Sequence, residues 1–346
     1  MTIDRRNFLR YAAGTAAMAT GLPLPAAKAL AGLMQDESGR VLPWIELDAG
    51  PGKAILVSAE NVPGGNAMIV HSGPVVMVVD TKFPAFAGSM LADADELANE
   101  GIVERHLINT HHHADHTAGN YAFIKAGWNS IAHIRAIARI QAQFDQFVQR
   151  AKAAPAMATQ SGLGPQVIDA ATRAASTADE LKPKDFTPKT RFSGKFEPLV
   201  VGNVVVRQNS YSTGHTDGDM FVHLINENIV HTGDLVFNGM NPFCDANGGV
   251  SFDNWIITLR GLYNLCDEDT RVIPGHGPIA GREIIRTQMN YFEQLRESVN
   301  TERKKGTSRE DMVQMTFPFQ EGLGFDRGRE IAIGVMYDTI TGIYQG

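Results

Sequence analysis

Cysteine is scarce in this 346-residue sequence, which contains only Cys244 and Cys266. Two cysteines do not define the kind of disulfide framework that stabilises small secreted proteins. The two thiols could form one bridge in an oxidising compartment or could remain free and buried, and the sequence leaves both alternatives open. The chain is long enough to bury a large hydrophobic core, so we expect packing to stabilise the fold.

Basic residues are also in the minority, since 31 lysines and arginines stand against 38 aspartates and glutamates and give a net charge of −7. A negatively charged surface disfavours nucleic acid and anionic membranes as partners. The partner that we expect is instead a small-molecule substrate. The composition does not predict an oligomeric state.

The N-terminal region has no apolar run of the roughly 20 residues that a transmembrane helix needs. A charged segment with adjacent arginines, residues 4–10, precedes a weakly apolar segment, residues 11–25, that glycines and prolines interrupt. This pattern resembles a twin-arginine export signal with cleavage after Ala29. We expect residues 1–29 to be a signal peptide that the twin-arginine translocation machinery recognises. Cleavage would leave a soluble periplasmic protein with no membrane anchor and a net charge of −10, because the peptide holds four basic residues and one acidic residue.

Histidine, in contrast, is concentrated at one place, because residues 111–116 contain four histidines and one aspartate. This segment follows the apolar run 103–108, a predicted strand, and precedes residues 117–125, a predicted short helix. Loops at the ends of strands are where α/β proteins carry binding and catalytic residues. A surface polyhistidine run with weak metal affinity is the alternative, and it would require no partners elsewhere.

The spacing His-x-His-x-Asp-His suits two metal ions. Alternate side chains, His111 and His113, can converge on one ion, while Asp115 and His116 turn toward a second. Imidazole and carboxylate together suit zinc, and iron or manganese are alternatives because ligand type alone does not select the metal. The sequence therefore predicts two adjacent divalent metal ions, with zinc as the expected element.

Further polar residues follow other predicted strands, and the alternation of strands with helices predicts α/β layers. A carboxylate buried at Asp80 needs hydrogen-bond partners, which the histidine-rich loop at 111–116 could supply. Alternatively, Asp80 could cap a predicted helix at 83–99. The residues are Asp80 at the end of strand 75–80, His215 after strand 200–209, Asp234 after strand 229–232 and His276 after strand 271–274.

A helical insertion at residues 134–182 separates the histidine-rich loop from the later motifs. Apolar residues at helical spacing predict an amphipathic helix at its start, a connection at 151–165 and a second helix at 166–181. The insertion could pack against the outer face of a sheet, or it could be a lid that sets substrate size. Helices in residues 281–346 are expected to cover the sheet.

In order along the chain, these motifs resemble the five motifs of the metallo-β-lactamase superfamily. The resemblance spans nearly all of residues 30–346 and implies one α/β domain with an αββα sandwich, two central sheets flanked by helices. It also implies a dinuclear metal site in which Asp234 bridges the two ions. The implied ligands are His111, His113 and His215 for the first metal, and Asp115, His116 and His276 for the second.

The resemblance implies a hydrolase in which a hydroxide bridging the metals attacks an ester, thioester, lactone or amide bond. Asp115 would orient that hydroxide as a catalytic residue, whereas no role is expected for His112. A β-lactamase is an alternative, although an aspartate at 234 resembles glyoxalase II and related esterases more. A persulfide dioxygenase with a single iron is a second alternative.

Two residues near His215 are predicted to support that ligand, since metal ligands usually have hydrogen-bonded partners of their own. They are Thr216 and Asp219, whereas Asp217 is equally well interpreted as a solvated turn residue. The remaining histidines are expected to be structural. These are His71, His106, His133, His223 and His231.

Overall fold

The computed structural model describes residues 40–58, 62–98, 104–193, 197–201, 204–209 and 213–344. The predicted signal peptide at residues 1–29 lies outside these ranges. Among the helices in the described ranges, none combines the length and the apolar character that crossing a membrane requires.

Seven strands form the first sheet and lie side by side in chain order. The first four strands pair antiparallel, and the last four, which share β4, pair parallel. The strands are β1 (Trp44–Leu47), β2 (Lys53–Ser58), β3 (Met68–Ser72), β4 (Val75–Val79), β5 (Glu104–Asn109), β6 (Asn129–His133) and β7 (Thr190–Phe192).

Six strands form the second sheet, in the order β13-β12-β11-β10-β9-β8. Only β11 and β12 pair parallel, and the other neighbours are antiparallel. The strands are β8 (Glu197–Val201), β9 (Val204–Asn209), β10 (Phe221–Leu224), β11 (Ile229–His231), β12 (Arg271–Ile273) and β13 (Ala280–Gly281).

Helices flank both sheets and account for most of the remaining described residues. They are α1 (Pro84–Leu97), α2 (Ala114–Thr117), α3 (Asn120–Lys125), α4 (Ile134–Ala142), α5 (Phe144–Lys152), α6 (Ala154–Ser161), α7 (Pro165–Ser176), α8 (Pro183–Phe186), α9 (Phe252–Leu265), α10 (Glu283–Lys304), α11 (Arg309–Met312) and α12 (Asp326–Thr341), with 3₁₀ turns at Ala178–Glu180, Gly233–Leu235 and Pro318–Gln320.

The alternation of side chains along the strands separates the core into layers. In β2, Ile55 and Val57 face the second sheet and are buried with its strands, whereas Leu56 points the other way and packs near Phe86 of α1. The outer face of the second sheet is covered by α9, α10 and α12, where Trp255 belongs to the buried cluster. The predicted αββα sandwich is thereby confirmed.

The helical insertion packs mainly against α1, on the outer side of the first sheet. Val167 and Ala171 of α7 are buried in one cluster with Phe86 and Met90 of α1. This packing favours the first of the two interpretations given above, in which the insertion covers the sheet. Arg139 of α4 and Gln143, which follows it, bond to the loops that carry the candidate metal ligands.

Two predictions of secondary structure were wrong. The predicted connection at 151–165 contains helix α6, because Pro155 stands in the first turn, where proline costs no hydrogen bond. The single strand predicted over 200–209 is two antiparallel strands, β8 and β9. Residues 202–203, Gly-Asn, were the local signal for a turn.

Both cysteines are buried free thiols. This result decides between the two alternatives that the sequence left open. Burial raises the pKa of both thiols above its usual value, and for Cys266 to about 11. The protein is therefore stabilised by its packed layers rather than by a disulfide bridge.

Candidate metal centre

The candidate metal ligands lie on loops at one edge of the two sheets. The parallel strands β4 and β5 end together, which places Asp80 beside the histidine-rich loop. In the other sheet, the parallel strands β11 and β12 end together and place Asp234 beside the loop of His276. Strand pairing thus explains why residues distant in sequence meet in one place.

The histidine-rich loop divides its ligands because a short helix begins within it. His113 is extended and forms the N-cap of α2, so that Asp115 and His116 lie on the first helical turn. The extended part and the helical part direct their side chains to different sides. This arrangement matches the division into two ligand pairs that the spacing predicts.

The first ligand group consists of His111, His113, His215 and Asp234, whose potential ligand atoms all lie within 4.8 Å of one another. His215 Nε2 is 3.0 Å from His113 Nδ1 and 3.4 Å from Asp234 Oδ2. His111 Nε2 is 3.7 Å from the same carboxylate oxygen. Three imidazole nitrogens and one carboxylate oxygen therefore surround one point.

The second ligand group consists of Asp115, His116 and His276, which also lie within 4.8 Å of one another. His276 Nε2 is 3.1 Å from Asp115 Oδ2. The other oxygen of Asp234, Oδ1, is 3.0 Å from His116 Nε2 and 3.5 Å from His276 Nε2. All seven predicted residues are thus brought together, and Asp234 lies between the two groups.

Glycine at 275 permits the close approach that this position of Asp234 requires. A Cβ atom on Gly275 would overlap Asp234 Oδ1 and would also crowd the backbone of Gly233. The loop that carries His276 can therefore lie directly against the carboxylate only because residue 275 has no side chain.

Three inward-facing polar atoms of the site are buried and have no hydrogen-bond partner in the described part of the chain. They are His111 Nε2, His116 Nε2 and Asp234 Oδ1. His116 Nε2 and Asp234 Oδ1 lie 3.0 Å apart. Metal ions held by the two groups would accept lone pairs from these atoms, so the residues present fit metal ions.

Asp80 fixes the orientation of one histidine in each group. Its Oδ2 accepts hydrogen bonds from His116 Nδ1 at 2.7 Å and from the Thr110 hydroxyl at 2.7 Å. That hydroxyl has a single hydrogen, so it accepts from His111 Nδ1 at 3.0 Å. Both rings are then protonated at Nδ1 and present Nε2 to the site. The alternative role of Asp80 as a helix cap does not apply, because α1 is capped at Phe83.

The two remaining histidines of the first group are held by residues that were not predicted. Asp245 Oδ2 accepts a hydrogen bond from His113 Nε2 at 2.8 Å, and the carbonyl of Phe243 accepts one from His215 Nδ1 at 2.8 Å. His112 is also buried, with its Nε2 3.6 Å from Asp245 Oδ2. No motif surrounds Asp245, so the sequence offered no local signal for it.

The residues that follow His215 stabilise their own loop. Asp219 accepts hydrogen bonds from the backbone and the hydroxyl of Thr216, and burial raises the pKa of Asp219 to about 7. Asp217 forms a two-point ion pair with Arg139 of α4 instead of remaining a solvated turn residue. This ion pair therefore connects the helical insertion to the loop of His215.

The two groups differ in the charge of their histidines. Burial lowers the pKa of His111 well below its usual value, and it lowers that of His215 to about 3. Burial also opposes the charge of the second group, but Asp234 and Asp115 outweigh it, raising the pKa of His276 to about 9 and that of His116 well above its usual value. Carboxylates that favour a proton there also favour a metal cation.

Aromatic rings border the site on one side. Phe237 stacks on His276 with ring centroids 5.4 Å apart, and Phe243 lies against His113 at 5.5 Å. The exposed part of the site is polar, because Asp115 and His276 side chains are each 22% exposed. A substrate can thus approach from the side of the second group.

Among the other histidines, His231 donates a hydrogen bond from Nε2 to the carbonyl of Asn66 and accepts one at Nδ1 from the amide of Gly233. The side chain of His133 accepts a hydrogen bond from the amide of Arg135 at the start of α4. These contacts of His133 and His231 are with the backbone; the structural role expected for the other three histidines stays a prediction.

A sequence profile described as the metallo-beta-lactamase superfamily matches residues 61–276, which include all seven candidate ligands. No curated protein sequence matches the chain.

Solved structures similar to this chain include two metallo-β-lactamases and the protein VMB-1. The enzyme FIM-1 from Pseudomonas aeruginosa, in a mono-zinc form, is 20% identical and covers 74% of this chain and 97% of its own, with a TM-score of 0.49. DIM-1, exposed to ceftazidime, is 17% identical and covers 74% and 99%, with a TM-score of 0.51. VMB-1 is 14% identical and covers 74% and 99%, with a TM-score of 0.51. At these identities the likeness concerns the fold alone.

Proposed function

Because the chain belongs to the metallo-β-lactamase superfamily, we propose that it is a hydrolase that uses two divalent metal ions, with zinc as the expected element. The substrate would be a small molecule with an ester, thioester, lactone or amide bond. The proposal rests on the residues of the two ligand groups and on the chemistry that such residues support.

One observation carries the proposal, namely the position of the Asp234 carboxylate. Its Oδ2 faces His111 and His215, and its Oδ1 faces His116 and His276, at the distances given above. A single carboxylate that offers one oxygen to each group suits a bridging ligand.

Asp234 and three further residues would hold each ion, and water or substrate would take a fifth position, since catalytic zinc can expand to five ligands. When bound, divalent ions lower the pKa of a water molecule to about 7 and polarise a carbonyl oxygen. No serine or cysteine nucleophile is then needed.

The residues themselves orient the reactants. His116 and His276 help to hold the pKa of Asp115 below its usual value against the effect of burial, so its carboxylate is ionised at neutral pH. Asp115 is also partly exposed, and it can accept a hydrogen bond from a water molecule beside it. This is the role that we propose for Asp115 as the catalytic residue.

The natural environment that we propose is the periplasm, reached by the twin-arginine route. The acidic composition supports a small-molecule substrate rather than a polynucleotide. Zinc suits a site of imidazoles and carboxylates, while iron and manganese share that preference.

The test is a metal count combined with a substrate panel. Purified protein comprising residues 30–346 is expected to hold close to two metals per chain by elemental analysis. Loaded with zinc, it is expected to hydrolyse at least one member of a panel of esters, thioesters, lactones, amides and β-lactams. Hydrolysis restricted to β-lactams would identify a β-lactamase instead.

A single iron per chain, together with oxygen uptake on a persulfide, would contradict the proposal and support the dioxygenase alternative. A chelated sample of the same protein is the control, since it is expected to lose hydrolysis and regain it when zinc is added.

A further inference from the structure

Lys82 is a buried lysine outside the ligand groups. Its side chain lies within the protein with 1% exposure. The ammonium donates hydrogen bonds to the backbone carbonyls of Val62 at 3.1 Å and Gly65 at 2.7 Å, and it lies 3.5 Å from that of Gly64. A buried charge needs such partners, and here one short segment, 62–65, supplies them.

Segment 62–65 lies directly against the second ligand group. A Cβ atom on Gly65 would overlap the His116 ring at Cε1 and Nε2, so the backbone of Gly65 covers the face of that ring. Gly64 approaches the carbonyl of Asp115 in the same way, with a Cβ position 3.3 Å from the oxygen. The segment therefore provides a second constraint on His116, in addition to the hydrogen bond of its Nδ1 to Asp80.

The next residue, Asn66, connects the same segment to the loop of the other second-group histidine. Its side-chain amide donates to the carbonyls of Pro274 at 2.8 Å and Gly277 at 2.9 Å. Its backbone amide donates to the carbonyl of Gly275 at 2.6 Å. The loop that carries His276 is thus held on both sides of that residue.

The backbone around Lys82 is adapted to deliver its side chain to this place. Both Asp80 and Lys82 adopt left-handed conformations, with φ of +60° and +55°. Non-glycine residues adopt this region rarely, and where they do the surrounding contacts must hold them there. The turn at residues 80–82 therefore directs the side chain of Asp80 toward His116 and the side chain of Lys82 toward segment 62–65.

We propose that Lys82 is a positioning residue for the second metal site. By gathering three carbonyls of segment 62–65, its ammonium holds Gly65 against His116 and Asn66 against the loop of His276. In the described part of the chain, the side-chain hydrogen bonds that the histidines of the first ligand group make outside the group go to Asp245, Phe243 and Thr110 and not to this segment. Loss of the ammonium should weaken the second site selectively. The inference rests on the proposed function, because it requires that the second group binds metal.

The test is a zinc titration of the metal-free full chain against a competing chelator, which resolves two dissociation constants. Lys82→Met keeps the apolar stem and removes the ammonium, and it is expected to raise the Kd of one site at least 10-fold while the Kd of the other site changes less than 3-fold. The matched control is Lys53→Met, which breaks the ion pair of a largely buried lysine with Glu227 at the opposite end of β2. The control is expected to change both Kd values less than 3-fold even if it lowers Tm.

A second variant guards against failure of Lys82→Met to fold. Lys82→Gln retains an amide donor for the carbonyls and is expected to raise the second Kd by an intermediate factor. Equal changes in both Kd values, or no change in either, would overturn the inference, as would unfolding of both Lys82 variants while Lys53→Met folds. If the wild-type chain binds fewer than two zinc ions, the proposed function itself fails, and the two failures remain distinct.

Discussion

The first and second ligand groups contain similar residues in different surroundings. In the first group, His111 and His215 are almost completely buried, and burial keeps them neutral. In the second group, Asp115 and His276 are partly exposed. Neighbouring carboxylates raise the pKa values of His116 and His276. The comparison indicates that the first site is ready to accept a metal ion, whereas the second must release protons before it can do so.

The largest effect is expected from Asp234→Ala, because this change removes the only residue shared by both groups. We expect loss of one of the two metals and a fall in kcat of about 1000-fold or more, equivalent to several kcal/mol of transition-state stabilisation. Elemental analysis and steady-state kinetics measure the two effects. Asp269→Ala, at an exposed loop, is the control and should change neither. Full metal content in Asp234→Ala would contradict the bridging role.

A smaller effect is expected from pH, and its direction distinguishes the two groups. His116 and His276 have raised pKa values, so both are protonated at pH 7 without metal and a cation must displace about two protons. Affinity at the second site should then fall by up to about 100-fold when the pH drops from 7 to 6. The first group contains His111 and His215, whose pKa values are lowered, so its affinity should change far less.

Calorimetric titration with zinc in two buffers of different ionisation enthalpy measures these protons directly. Wild-type protein should release more protons in the weaker phase than in the tighter phase. Equal proton release in the two phases would contradict the proposed difference between the neutral His111 and His215 of the first group and the protonated His116 and His276 of the second.

The third prediction compares the carboxylates that orient the histidines. Among the seven candidate ligands, Asp245→Asn directly disturbs His113, and it is expected to weaken the first site by about 10-fold, within the range typical of residues that support metal ligands. Asp80→Asn disturbs His116 directly and His111 through Thr110, so it is expected to weaken both sites by at least as much. The competition titration described for Lys82 measures both constants. A selective loss at one site in Asp80→Asn would show that Thr110 does not connect the groups.

The seven candidate ligands could be predicted because each belongs to a short motif that ends an apolar run. An apolar run predicts a buried strand, and strands of one sheet bring their ends to a common edge. The layer architecture follows from the same runs. The two sheets also pack face to face, so loops from different sheets can meet. His111 follows β5 of the first sheet and His276 follows β12 of the second.

Residues that act through tertiary contacts could not be predicted in this way. Asp245, Lys82 and the carbonyl of Phe243 belong to no local pattern, and their partners lie 132, 17 to 20 and 28 residues away. The packing of the insertion was equally open, since an amphipathic helix can bury its apolar side against any surface. In the structure, its apolar side packs against α1, and this contact depends on the tertiary arrangement of the helices on the first sheet.

The hydrogen-bonded chain from His111 through Thr110 and Asp80 to His116 joins one ligand of each group. An ion that fixes His111 would order the Thr110 hydroxyl and would hold the Asp80 carboxylate in place for the other ring. Such a coupling free energy is reciprocal, so each ion is expected to change the binding of its neighbour by the same factor. The apparent affinity of the weaker site would then depend on whether the tighter site is filled.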